Sequence, residues 1–224
     1  MKRVFGAKCL IYFIMLFFLV GVVNVSPAGA QQRPLEHIFI ISVDGLSYEG
    51  FVSAPVNNMK HMAGEGVMDT KCMALKVDTI EAAEASLITG ALPEDHRHVT
   101  AKNKIETESL FEIIRKLGKN YVVIDGSGGK LASFENRDKT YYCCDSADSD
   151  DKVLKEALAH FNKEKPFLTY IYLNDCRNTL LSLDDKAYYE TVRLFDLALG
   201  RFVNSLRKDR SEEHTSELQS HHDL

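Results

Sequence analysis

Three apolar runs in this chain each end in an acid. Ile38–Val43 runs into Asp44, Tyr121–Ile124 into Asp125, and Phe167–Leu173 into Asn174 and Asp175. A buried strand has no use of its own for a carboxylate at its end. Ligands of open α/β sheets, however, bind just outside the carboxyl ends of the strands. If the three strands are parallel, the three acids share one edge. Carboxylates gathered on one edge repel each other unless a cation lies between them, so the pattern points to metal-ion chemistry. The competing reading is that each acid caps the turn or helix that follows its strand. Gly45 lets the backbone turn away after Asp44. Gly126-Ser127-Gly128-Gly129, just beyond Asp125, could cradle a phosphate with its amides or be a plain turn.

The segments between these strands have helical period. Val56–Ala63 predicts a short helix with Met59 and Met62 inward, closed by Gly64 and Gly66. Val67–Leu75 reads as extended. Ala82–Thr89 reads as a small-residue helix ended by Gly90. Thr107 or Ser109 opens a helix with Leu110, Ile113, Ile114 and Leu117 on one face, capped by Gly118. Asp150 or Asp151 opens another, carrying Val153, Leu154, Leu158 and Phe161. A long helix is expected from about Asp184 to Leu206, since Tyr188, Val192, Phe195, Leu199, Phe202 and Leu206 recur at three- and four-residue steps. Helix-sized crossovers between buried strands predict an α/β fold, a three-layer αβα sandwich around a mostly parallel sheet.

The two ends read differently. Residues 1–30 have the pattern of an export signal: Lys2, Arg3 and Lys8, then an apolar run from Cys9 to Val23, then Ala28-Gly29-Ala30 before a mature start at Gln31. An uncleaved membrane anchor is the alternative, although a span needs roughly 20 apolar residues. Either way the domain is expected outside the cytoplasm: periplasmic, extracellular or on the cell surface. The string Arg210–Ser220 resembles the in-frame translation of a common sequencing-library adaptor. Residues 210–224 are therefore read as non-native tail, the fold is sought in 31–209, and His214, His221 and His222 are not taken as metal ligands. The net charge of −5 comes with no basic stripe, which gives nucleic-acid binding no support. Cys72, Cys143, Cys144 and Cys176 permit disulfides in an exported chain, with the pairing open. No Cys-x-x-Cys spacing suggests a zinc knuckle.

Taken in order, the motifs resemble a known group. Val43-Asp44-Gly45-Leu46, Pro55-Val56-Asn57-Asn58-Met59 with Glu65-Gly66, and Ala85-Ser86-Leu87-Ile88-Thr89-Gly90 with Pro93-Glu94-Asp95-His96 are similar to the alkaline phosphatase superfamily, in its nucleotide pyrophosphatase/phosphodiesterase branch. Ser109-Leu110-Phe111, Gly118-Lys119, Val122-Val123-Ile124 and Gly129-Lys130-Leu131 fit the next part of that pattern. Lys165-Pro166-Phe167 to Asp175, with Asp196 and Leu199, fits the part after it. The resemblance implies an alkaline-phosphatase-like domain, incomplete at its C-terminus. It implies two zinc ions at the carboxyl edge and a hydroxyl nucleophile attacking phosphorus between them. The substrate would be small and phosphorylated, such as a nucleotide. Asp44 matches the first-strand metal ligand, and Asp175 the first acid of an Asp-x-x-x-His pair.

The departures are as informative. Ile80 stands where the family places its nucleophile, which makes the neighbouring Thr79 the substitute nucleophile and metal ligand. Thr79 could instead N-cap the Ala82 helix, with Glu81 completing a capping box. Thr179 stands where the His of the pair belongs. The remaining ligands, an Asp-His pair and a final His, are expected past Asp209. His96 is expected to be structural, and His61 and His160 to lie on the surface. No Cys/Ser-x-Pro-x-Arg signature is present, which disfavours a sulfatase. Two functions follow: an exported metal-dependent phosphoesterase using Asp44, Thr79 and Asp175, or a degenerate member that binds a ligand or envelope partner without turnover.

Overall fold

Two-residue alternation inside the apolar strands decides how the layers form. The computed structural model describes residues 35–73, 75, 77–100, 102–132 and 140–220, with side chains through 208. The proposed export signal lies outside the described residues. Strands β1 (Ile38–Val43), β2 (Tyr121–Asp125), β3 (Tyr141–Cys143) and β4 (Leu168–Leu173) pair in parallel in the order β1-β4-β2-β3. The helices are α1 (Tyr48–Ser53), α2 (Asn57–Glu65), α3 (Ile80–Thr89), α4 (Pro93–His96), α5 (Leu110–Lys116), α6 (Asp150–Glu164), α7 (Asp175–Leu180) and α8 (Asp185–Ser220).

Leu168, Tyr170, Tyr172, Tyr121 and Val123 form one core with Ile80, Ala85 and Ile88 of α3 and Phe111 and Ile114 of α5. The intervening residues Val122, Ile124, Ile171 and Leu173 form a second core with α6 and α8, through Val153, Leu154, Phe161, Val192, Phe195 and Phe202. The sheet is therefore covered on both faces. That is why its central strands are continuous apolar runs rather than alternating ones. This is the three-layer αβα sandwich that the crossovers imply.

Local chemistry sets the helix ends. Ser109, not Thr107, opens α5: its hydroxyl accepts from the Glu112 amide at 3.3 Å, and the Glu112 carboxylate accepts from the Ser109 amide at 3.0 Å. At the end of α3, Gly90 takes the left-handed conformation at φ 67°. Helix α2 has no capping side chain of its own at Val56. Its cap comes from α8 instead. The Asp196 carboxylate accepts from the Asn58 amide at 3.1 Å, the Asn58 side chain at 2.9 Å and the Met59 amide at 2.7 Å.

Several expectations are corrected. In α5 only Phe111 and Ile114 are buried, while Ile113 and Leu117 are exposed, because two turns of helix present too narrow a stripe to bury four residues. Met59 packs on the core, but Met62 faces solvent. The described part of 67–75 holds no strand, and Val67 is fully exposed. Helix α8 continues in backbone through 210–220, beyond the expected end near Leu206. Cys72, Cys143, Cys144 and Cys176 are all free thiols. Among the described residues no helix is long and apolar enough to cross a membrane.

Asp196 is almost fully buried, so its removal strands the α2 amides. Asp196→Ala should lower stability by roughly 2–3 kcal/mol, as the loss of charge-assisted bonds to buried donors does. Urea unfolding followed by circular dichroism would read the change.

Candidate functional site

The register places the expected acids on one edge. Val43 pairs with Leu173 and Asp125 with Tyr172, and the Asp44 amide continues the ladder by donating to the Leu173 carbonyl at 3.0 Å. Asp44, Asp125 and Asp175 thus leave the sheet at the same end. They do not converge there, because each is met by different partners.

Asp44 sits on a turn that is held from two sides. Gly45 has φ 81°, and a Cβ on it would lie 2.5 Å from the Cα and N of Arg177. Only glycine permits both that conformation and that approach of α7. From the other side, the Tyr188 hydroxyl of α8 donates to the Gly45 carbonyl at 2.9 Å and accepts from the Ser47 amide at 2.9 Å. Ser47 in turn caps α1 by accepting from the Gly50 amide at 2.9 Å. On this clamped turn, Asp44 Oδ2 accepts from the Tyr172 hydroxyl at 2.7 Å and from Arg177 Nη1 at 2.8 Å. Burial and the Asp44 carboxylate hold the Tyr172 phenol well above its usual range. The Asp44 contact raises Arg177, and Glu81 in the first turn of α3 adds to the effect.

Next to this pair is an acid that sequence reasoning missed. Glu84 of α3 is buried and accepts from the Ser42 hydroxyl at 2.8 Å and from the Tyr170 hydroxyl. Burial pushes its carboxyl upward, and the two hydroxyls act against that. The available signal was a lone acid between Ala82 and Ala85 on the apolar face of α3.

The other two strand-end acids have local duties. Asp125 is fully buried. Its Oδ1 accepts from the Ser127 amide at 2.7 Å and the Ser127 hydroxyl at 2.5 Å. Its Oδ2 accepts from the Leu131 amide at 3.1 Å and the Tyr141 hydroxyl at 2.5 Å. The Gly126–Gly129 loop thus turns amides onto the chain's own carboxylate, the turn reading rather than a phosphate cradle. Asp175 Oδ2 accepts from the Asp150 amide at 2.8 Å, capping α6 from a distance. Asp150 Oδ1 returns the bond by accepting from the amides of Asn174 at 3.1 Å and Asp175 at 3.2 Å. Asp150 Oδ2 and Asn174 Oδ1 are buried without a partner among the described residues.

Thr79 N-caps α3. Its hydroxyl accepts from the Ala82 amide at 3.2 Å and donates to the Val99 carbonyl at 2.8 Å. Ile80 is buried in the core beside it. Thr179 bonds back along α7, donating to the carbonyls of Asp175 at 3.0 Å and Cys176 at 3.2 Å. His96 is structural as expected: fully buried, with Nε2 2.9 Å from the Ser86 hydroxyl and Nδ1 accepting from the His98 amide at 3.0 Å. His61 is exposed, whereas His160 is half-buried and stacks on Tyr142.

A metal held by Asp44, Thr79 and Asp175 does not fit this donor set. One oxygen of Asp44 faces a guanidinium, Asp175 faces a backbone amide, and the Thr79 hydroxyl serves as a cap. Among the described residues no three His, Cys, Asp or Glu side chains form a metal-binding group.

No family model matches the sequence, and no curated protein matches it. Solved structures do. Murine ectonucleotide pyrophosphatase/phosphodiesterase 5, in an inactive form in complex with AMP, matches with a TM-score of 0.67 at 14% identity, over 78% of this chain and 53% of that one. Lipoteichoic acid synthase LtaP from Listeria monocytogenes matches with a TM-score of 0.58 at 13% identity, over 77% of this chain and 52% of that one. Phosphonoacetate hydrolase from Sinorhizobium meliloti 1021, in complex with phosphonoacetate, matches with a TM-score of 0.54 at 12% identity, over 77% and 54%. The chain spans about half the length of each. At these identities the likeness establishes the fold: this chain has the alkaline-phosphatase-like α/β fold.

Burial and the Asp175 carboxylate push Asp150 up to about 7 from the ordinary 3.8. Between those values the folded chain keeps a proton that the unfolded chain has released, so stability falls as pH rises through the window. Asp150→Asn should flatten that part of the stability curve and be at least as stable as the wild type at pH 8. Melting temperatures across the pH range would reveal it.

Proposed function

We propose that this chain contributes the phosphoester-recognising edge of an exported protein that binds a small phosphorylated ligand, such as a nucleotide, without turning it over. One observation carries the reading. Where the resemblance requires a free hydroxyl there is buried Ile80, and the adjacent Thr79 hydroxyl is engaged as a helix cap. A nucleophile needs a base or a metal to activate it, and Thr79 has a backbone carbonyl for a partner. Export is supported by the leader pattern of residues 1–30. A phosphorylated ligand is supported by the fold, whose solved relatives include one in complex with AMP and one in complex with phosphonoacetate.

A second reading has its own support. Thr79 caps α3, the helix whose Glu84 accepts from Ser42, two residues before Asp44. A hydrolase cleaving phosphodiester or pyrophosphate bonds, with Thr79 as nucleophile and two zinc ions near Asp44 and Asp175, would place its hydroxyl there.

One pair of assays separates the readings. The full chain is offered an aryl phosphodiester with added zinc, and AMP in a calorimeter. The binding reading expects AMP to bind and no aryl alcohol to be released. Steady release that is abolished in Thr79→Ala would replace it with the hydrolase reading.

A further inference from the structure

We propose that Arg177 is the resident cation of this site: it neutralises Asp44 where a divalent metal would otherwise be needed, and its remaining guanidinium edge receives the phosphoryl group. The cation half stands on geometry alone; the ligand half rests on the binding reading above.

Arg177 is built into the site rather than resting on it. Its backbone lies against Gly45, where any side chain would collide with its Cα and N at 2.5 Å. The turn that presents Asp44 and the helix that presents Arg177 are therefore fitted to each other. Cys176, the preceding residue, is fully buried, and the Leu181 amide donates to the Arg177 carbonyl at 3.0 Å. These contacts fix where the side chain starts. From there Nη1 reaches Asp44 Oδ2 at 2.8 Å, the same oxygen that accepts from Tyr172. A guanidinium stays charged at any pH the protein meets. An ion approaching that oxygen would have to displace both donors and sit beside a fixed positive charge.

The neighbouring donors are committed in the same sense. The hydroxyl of Thr179, at the position of the expected His, is turned back onto its own helix. The Asp175 oxygen Oδ2 is held by the Asp150 amide. Substitution of the metal by an arginine also has a chemical consequence. Arg177 is partly exposed, and among the described residues only its Nη1 makes a hydrogen bond. Nε and Nη2 remain, and such a fork matches two oxygens of a phosphoryl group. A guanidinium binds that group but cannot activate a hydroxyl as a metal does, in keeping with recognition without turnover.

The test uses the full chain. Protein incubated with zinc chloride and desalted is measured for zinc, and phenyl phosphate is titrated in EDTA. The expected result is no stoichiometric zinc on the wild type, with phenyl phosphate bound in EDTA and about tenfold more weakly by Arg177→Met. Stoichiometric zinc that is lost in Asp44→Asn would overturn the proposal. Equal binding of phenyl phosphate by wild type and a folded Arg177→Met would overturn its ligand half. Failure of the wild type to bind phenyl phosphate would sink the binding reading, while the zinc content, which needs no variant, still judges Arg177.

Discussion

A carboxylate withdrawn from water must be met by hydrogen-bond donors or by a cation. At the carboxyl edge of this sheet that demand falls on Asp44, Asp125, Asp150 and Asp175 together. The chain answers it four times from its own residues. Asp44 receives Arg177 and Tyr172, and Asp125 receives the Ser127 and Leu131 amides, the Ser127 hydroxyl and the Tyr141 hydroxyl of β3. Asp150 and Asp175 each accept from the other's backbone. Repulsion among strand-end acids, which by itself argues for a metal, is thus relieved locally at Asp44 and Asp125, whereas burial and the Asp175 carboxylate still raise Asp150, whose Oδ2 has no partner among the described residues.

These pairings also organise the connections around the sheet. The Asp125 bonds pull β3 against β2 through Tyr141 and shape the glycine loop between them. The Asp150–Asp175 exchange ties the start of α6 to the start of α7. Helix α8 works from the opposite side: Tyr188 clamps the Asp44 turn, and Asp196 caps α2. The long helix thus holds two loops that precede it by more than a hundred residues. Substitution of Tyr188 on its buried face would release the Asp44 turn from α8.

The parts of this structure that follow a local period were legible in the sequence. The buried strands, the Gly90 stop and the start of α5 at Ser109, one of two openings the pattern offered, each depend on residues within a few positions. The shared edge was legible too, since parallel strands must end together. What escaped depends on partners far apart in the chain. Glu84 looked like one acid in a small helix because Ser42 and Tyr170 lie on other strands. Arg177 drew no attention because its partner Asp44 lies 133 residues earlier, at the end of the neighbouring strand. Strand β3 is too short to show a period, and α5 too short for its four-residue stripe to stay inward. Thr79 was legible in both roles, and the geometry favours the cap.

The Asp44–Arg177 contact is therefore the feature on which the proposed metal independence turns. The most direct measurement is a double-mutant cycle on Asp44→Ala and Arg177→Ala, followed by urea unfolding in EDTA and again in zinc. A coupling of at least about 0.5 kcal/mol, the same in both buffers, is the expected result. Additive effects in EDTA, together with a zinc-dependent gain in wild-type stability, would contradict it.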